Sequence, residues 1–229
     1  IGNYSVGNHP RGVAVDASGN VWVANRVSNS VTKLSSTGST IGTYSVGTNP
    51  QGVAVDASGN VWVANMGSNS VTKLNSSGST IGTYSVGTNP SGVAVDASGN
   101  IWVTNYGGTT VTKLNSSGST IGTYSVGNGP ADIAVDASGN VWVTNYYDNS
   151  VTKLSSTGST IGTYPVGTNP HGIAVDASGN IWVANLNSNS VTKLSSTGTT
   201  IGTYSVGNNP YAFGDATGFV LQYFVLGRR

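Results

Sequence analysis

Ile1, Ile41, Ile81, Ile121, Ile161 and Ile201 each open a segment of nearly the same forty residues, with no insertion between them. A repeat of this length confines a chain to architectures in which one supersecondary unit is stacked or ringed, namely solenoids and propellers. The 229 residues hold five full units and a degenerate remainder, 201–229, and are read as a single domain, 1–229.

The content of a unit chooses between the two architectures. From Pro50, Gly52–Asp56 is short and β-branched, Asn60–Asn65 alternates around Trp62, Ser70–Leu74 alternates again, and Thr80–Val86 is a fourth run. Each has the period and residue types of a strand, and nothing of helical length intervenes. Asp56-Ala57-Ser58-Gly59 suits a type I turn followed by a left-handed residue, and Asn75-Ser76-Ser77-Gly78-Ser79 is a second tight turn. Four antiparallel strands per unit make a propeller blade. One tryptophan per unit (Trp22, Trp62, Trp102, Trp142, Trp182) is the largest packing element.

The stretch Pro10-x-Gly12-Val13-Ala14-Val15-Asp16-x-x-Gly19-Asn20-Val21-Trp22-Val23-Ala24-Asn25 resembles the NHL repeat and the related repeats of virginiamycin B lyase. The resemblance recurs five times over nearly all of residues 1–210 and implies an all-β propeller, typically of six blades. One departure is visible: many NHL repeats carry an arginine before the third strand, where this chain has Ser30, Ser70, Thr110, Ser150 and Ser190. We expect six blades, with the N-terminal strand Ile1–Val6 completing a last blade built from Pro210–Asp215 and the apolar run Phe219–Leu226. Such closure removes open sheet edges. Five blades with a C-terminal extension are the alternative.

In an antiparallel meander alternate turns lie on opposite faces. The Asp-Ala-Ser-Gly turns and the Ser/Asn-led turns share one face, the bottom, and barely differ between units. The other face, the top, varies in chemistry. The residue after each proline is Arg11, Gln51, Ser91, Ala131, His171 or Tyr211, and Asp132 replaces a glycine beside it. The loops after the second strands begin with Arg26, Met66, Tyr106, Tyr146-Tyr147-Asp148 and Leu186. The top face and channel mouth are therefore the candidate ligand surface. Its candidate residues from the first set are Arg11, Gln51, Ser91, Asp132, His171 and Tyr211. From the second they are Arg26, Met66, Tyr106, Tyr146, Tyr147 and Asp148.

Composition limits what this surface does. Charged residues are 7% of the chain and net charge is +1, so no nucleic-acid or anionic-membrane footprint is expected. There is no cysteine, and no apolar run approaches the ~20 residues of a membrane helix. The Asp turn lacks the spaced carboxylates of a calcium loop and reads as structural. His9 and His171 are the only histidines; grouped with Asp132, Asp148 and Arg11 they offer too few ligands for a metal. The family resemblance implies a histidine, a glutamate and a divalent metal for the lyases, and a glutamate ligand for lactonase-like propellers. The chain has no glutamate to carry over.

The expectation from sequence is a non-enzymatic recognition module. It would bind a polar glycan or peptide, without cofactor or metal, as an extracellular or periplasmic monomer. A structural repeat scaffold in a larger surface or secreted protein, and a metal-dependent lyase or lactonase-like enzyme, are the alternatives.

Overall fold

A computed structural model of the chain describes residues 2–211. Blade one comprises β1 (Pro10–Val15), β2 (Val21–Asn25), β3 (Ser30–Leu34) and β4 (Thr40–Ser45), paired antiparallel in that order. Residues 50–85, 90–125, 130–165 and 170–205 repeat the pattern, giving five four-stranded sheets. The first strand of a unit begins at the proline, Pro50 rather than Gly52, and the second at Val61 rather than Asn60. Asn60 belongs to the turn, where its amide donates to Asp56 Oδ1 at 2.9 Å.

The fold is the expected all-β propeller, but the described residues hold five blades, the alternative blade count, and not six. Residues 2–6 form no strand. The segment 212–229, on which the sixth blade depended, lies outside the described residues. Residues 2–9 nevertheless sit on blade one as the outer strand of one blade sits on the next. Tyr4 packs over Gly38 as Tyr44 packs over Gly78, places where any added Cβ would collide with the ring. The Gly7 amide donates to Asn25 Oδ1 at 3.0 Å, as the Gly87 amide does to Asn105.

The core lies between blades. Ala14, Trp22 and Val31 of blade one pack with Val53, Val55, Val61 and Leu74 of blade two, and three like clusters follow. A single twisted sheet cannot bury both faces; successive blades do it for each other. The two ends show the rule by exception. Val13 is 39% exposed on blade one, whereas its counterpart Val53 is 2% exposed.

The bottom turns lock each blade to its successor. Asp56 Oδ1 accepts the Ser58 and Asn60 amides, and Oδ2 accepts Trp62 Nε1 at 3.0 Å. Gly59, at φ 78°, supplies the left-handed turn residue that a side chain would strain. Lys73 Nζ stands 4.8 Å above the Trp62 ring and donates to the Ser116 carbonyl of the next blade at 2.7 Å. Burial alone would raise the carboxyls of Asp16, Asp96 and Asp176, but the hydrogen bonds from asparagine, tryptophan and backbone outweigh it and hold them low, to about 2 for Asp176. These turns are structural, as their sequence suggests. Among the described residues no helix is long and apolar enough to cross a membrane.

Candidate functional site

The innermost strand of each blade carries a bulge. In blade one Pro10 pairs with Asn25 and Val13 with Val23, so Arg11 and Gly12 together oppose Ala24. A bulge re-aims a side chain, and here it brings the residue after the proline to the channel mouth. Gly12 and Gly52 follow because the neighbouring innermost strand's backbone comes too close for a Cβ. The top loops are held by asparagines in the left-handed conformation, such as Asn49 and Asn89 at φ 52° and 49°. The Asn49 carbonyl takes the Met66 amide at 3.1 Å, which fixes the first residue after the second strand.

These two sets of positions line a pocket of about 190 Å³ on the axis. Arg11, Gln51, Ser91, His171 and Tyr211 come from the positions after the prolines; Arg26, Met66, Tyr106, Tyr146 and Leu186 come from the loops. The pocket has two unlike sides. One is a continuous aromatic wall. Tyr211 lies over His171 at 4.0 Å between centroids, Tyr146 meets His171 edge-on at 6.4 Å, and Tyr106 meets Tyr146 at 6.0 Å. The other side is cationic. Arg11 Cζ lies 5.2 Å from the Tyr211 centroid, and Arg26 Nε is buried without a hydrogen-bond partner among the described residues.

The hydroxyls of Tyr106 and Tyr211 stay protonated at neutral pH. Burial pushes Tyr106 well above the ordinary tyrosine value, helped by the Tyr147 hydrogen bond and the charges of its tyrosine neighbours. Burial also raises Tyr211, against the opposing pull of the Arg11 and Arg26 guanidiniums; Asp132 adds to the rise. Both groups are neutral donors.

His171 is fixed from behind. Its carbonyl accepts Thr144 Oγ1 at 2.8 Å, and the same hydroxyl accepts the Asp132 amide at 2.9 Å. Thr104 makes the equivalent link to the Ala131 carbonyl at 3.2 Å. These two threonines were missed from sequence. The signal was present, because units one, two and five have Ala24, Ala64 and Ala184 there.

Of the sequence candidates, all but Asp132, Tyr147 and Asp148 line the pocket. Asp132 is buried beneath the rim, where Oδ2 accepts the Ile173 amide at 3.3 Å. Asp148 is a loop brace. Its Oδ2 accepts the Asn128 amide at 2.7 Å, the work done elsewhere by Ser28, Ser68 and Ser188. Tyr147 is exposed and leans on Tyr106 and Tyr146, with a hydroxyl–hydroxyl bond of 3.2 Å from Tyr106. His9 does not join His171; at φ 53° it stands where other units have the left-handed asparagine. Leu186 was the lining residue left out.

The pocket does not fit a metal. Among the described residues there is no group of three or more histidine, cysteine, aspartate or glutamate side chains able to hold an ion. His171 is the sole such side chain on the lining, and Asp132 has an oxygen engaged by backbone. The metal implied by the family resemblance therefore has no ligand set among the described residues.

Comparison with known proteins bears on the activity. The family model described as the virginiamycin B lyase family matches residues 3–213. A solved streptogramin B lyase is similar at 25% identity and TM-score 0.81, covering 89% of this chain and 71% of that one. Virginiamycin B lyase from Staphylococcus aureus, solved as a catalytically inactive histidine-to-alanine variant with Quinupristin, is similar at 19% identity and TM-score 0.82, covering 93% and 75%. A gluconolactonase from Xanthomonas campestris gives 18% identity and TM-score 0.72, covering 91% and 80%. No curated protein matches the chain. These findings correct the expectation of a non-enzymatic recognition module. The missing glutamate removes one metal ligand, but it does not remove a base, and His171 remains. With the family model matched over nearly its whole length, the chain belongs to the virginiamycin B lyase family.

Proposed function

We propose that the chain is a lyase whose substrate enters the top-face pocket and whose general base is His171. The observation that carries this reading is a histidine, buried to 6% exposure and braced by Thr144, on the lining of a pocket in a member of a lyase family. An elimination needs a base to take a proton from a carbon beside a carbonyl. The bond from the next carbon to an oxygen leaving group then breaks, and its electron pair departs with that oxygen as the new double bond forms. The hydroxyls of Tyr146 and Tyr211, whose rings flank His171, are the available donors to the departing oxygen. The aromatic wall orients a flat substrate group, and the pocket walls limit water.

Incubation with Quinupristin, followed by mass spectrometry, tests the reading. Elimination opens this cyclic lactone to one linear product of unchanged mass, with a new double bond absorbing in the ultraviolet. His171→Ala is expected to lower the rate by at least about 100-fold, the usual contribution of a general base. Products heavier by one water would mean lactonase chemistry instead. Unchanged turnover by His171→Ala would overturn the assignment of the base.

A further inference from the structure

We propose that Arg11 and Arg26 form an anion subsite, so that the pocket takes ligands carrying a carboxylate one carbon away from a planar ring. The ring lies on the Tyr106–Tyr146–His171 wall and the carboxylate lies on the guanidiniums. This deepens the lyase reading by naming the substrate class of the same pocket, and it holds charge where a metal otherwise would.

Three observations carry it. Among the described residues the lining has two guanidiniums and no carboxylate. Lysine–aspartate ion pairs form at the bottom turns, and neither Arg11 nor Arg26 takes part in them. Arg26 Nε is buried yet makes no hydrogen bond among the described residues. A buried donor left unsatisfied is costly, and a carboxylate is the acceptor that best matches the guanidinium fork. Arg11 Cζ lies over the Tyr211 ring, and such packing accounts for its position without requiring its N–H donors. Asp132, the carboxylate whose charge acts on Tyr211, has its Oδ2 on the Ile173 amide. The cationic side is thus unbalanced within the pocket. During elimination the same guanidiniums would stabilise the negative charge developing on the substrate carbonyl oxygen, with no metal required.

Titration calorimetry with phenylacetate and its uncharged counterpart phenylacetamide tests this on the full chain. Phenylacetate is expected to bind at least about tenfold more tightly, since charge-assisted bonds contribute about 1.5–3 kcal/mol. Arg11→Gln and Arg26→Gln should each remove about tenfold of that affinity, and Arg26→Lys should recover part of it because the charge stays while the fork is lost. A chelator should change nothing. Circular dichroism and melting temperature confirm that the variants fold. Equal binding of the two probes, no binding of phenylacetate, unaltered affinity in folded arginine variants, or binding that needs an added divalent ion would each overturn the subsite. The two readings fail separately. Turnover lost in His171→Ala with no charge selectivity would leave the lyase and remove the subsite. Charge-selective binding without turnover would do the reverse.

Discussion

The bottom and the top of this propeller are made by the same forty-residue unit, yet they do opposite things with it. At the bottom, the side chains of the turn aspartates and asparagines are committed. Asp96 takes the Trp102 and Asn100 donors, and Lys113 reaches across to the Ser156 carbonyl of the next blade at 2.7 Å. At the top, the backbone scaffold is just as regular, held by left-handed asparagines, but it presents up to two side chains per blade to a pocket and lets their identity vary. A repeat can therefore hold a stability function and a binding function at once when they sit at opposite ends of its strands. The sharpest tests ask whether the two faces can be damaged independently.

The largest separation should come from the core that the bottom turns anchor. Trp102 is wholly buried between blades three and four, and Trp102→Ala should cost about 3–5 kcal/mol by urea denaturation. Trp182 is only partly buried, on the blade whose outward face is open among the described residues, so Trp182→Ala should cost clearly less. Equal losses would mean that blade five is covered as fully as blade three.

Acid should attack the bottom before the top. Asp16, Asp96 and Asp176 have carboxyls held below the ordinary value of 3.8, so their contribution is complete above that value and is lost as pH falls through the folded value, about 2 for Asp176. Stability measured down this range should fall steeply. Asp96→Asn should lose about 1–3 kcal/mol at neutral pH, because an amide nitrogen would face the donors of Trp102 or Asn100, and should flatten the acid limb. A variant that keeps the full acid slope would place the titration elsewhere.

What was legible in the sequence follows the same division. The strands, the structural Asp turn and the inter-blade tryptophans could be read because repetition marks whatever every blade needs. The lining was legible where it varied in polarity, as at Arg11, Gln51 and His171. Leu186 was passed over because an apolar residue in a variable loop carries no chemical signal. Thr144 was passed over because an Ala-to-Thr exchange inside a strand looks like ordinary strand composition. Its hydroxyl matters only through the His171 carbonyl, twenty-seven positions away in the chain, which no local pattern reveals. The blade count hinged on 212–229, beyond the described residues. The function class was misread for a chemical reason: a missing metal ligand was taken for missing catalysis.

Asp148 gives the smallest and most exacting test. As a lone carboxylate in a variable top loop it reads as a functional residue, and its charge lies on the same face as the pocket. The geometry assigns it a different task. Its Oδ2 holds the Asn128 amide at 2.7 Å, while Ser28, Ser68 and Ser188 hold the corresponding amides at 2.8 Å, 3.1 Å and 3.0 Å. A serine hydroxyl is thus a proven acceptor at this place in the repeat, and Asp148→Ser should change stability by no more than about 0.5 kcal/mol. Turnover and phenylacetate affinity should also stay within about twofold, since Asp148 is not on the pocket lining and an exposed charge is well screened at physiological salt. A larger loss of activity with unchanged stability would move Asp148 from the scaffold to the site. It would also show that the top face extends beyond the ring of residues around the axis.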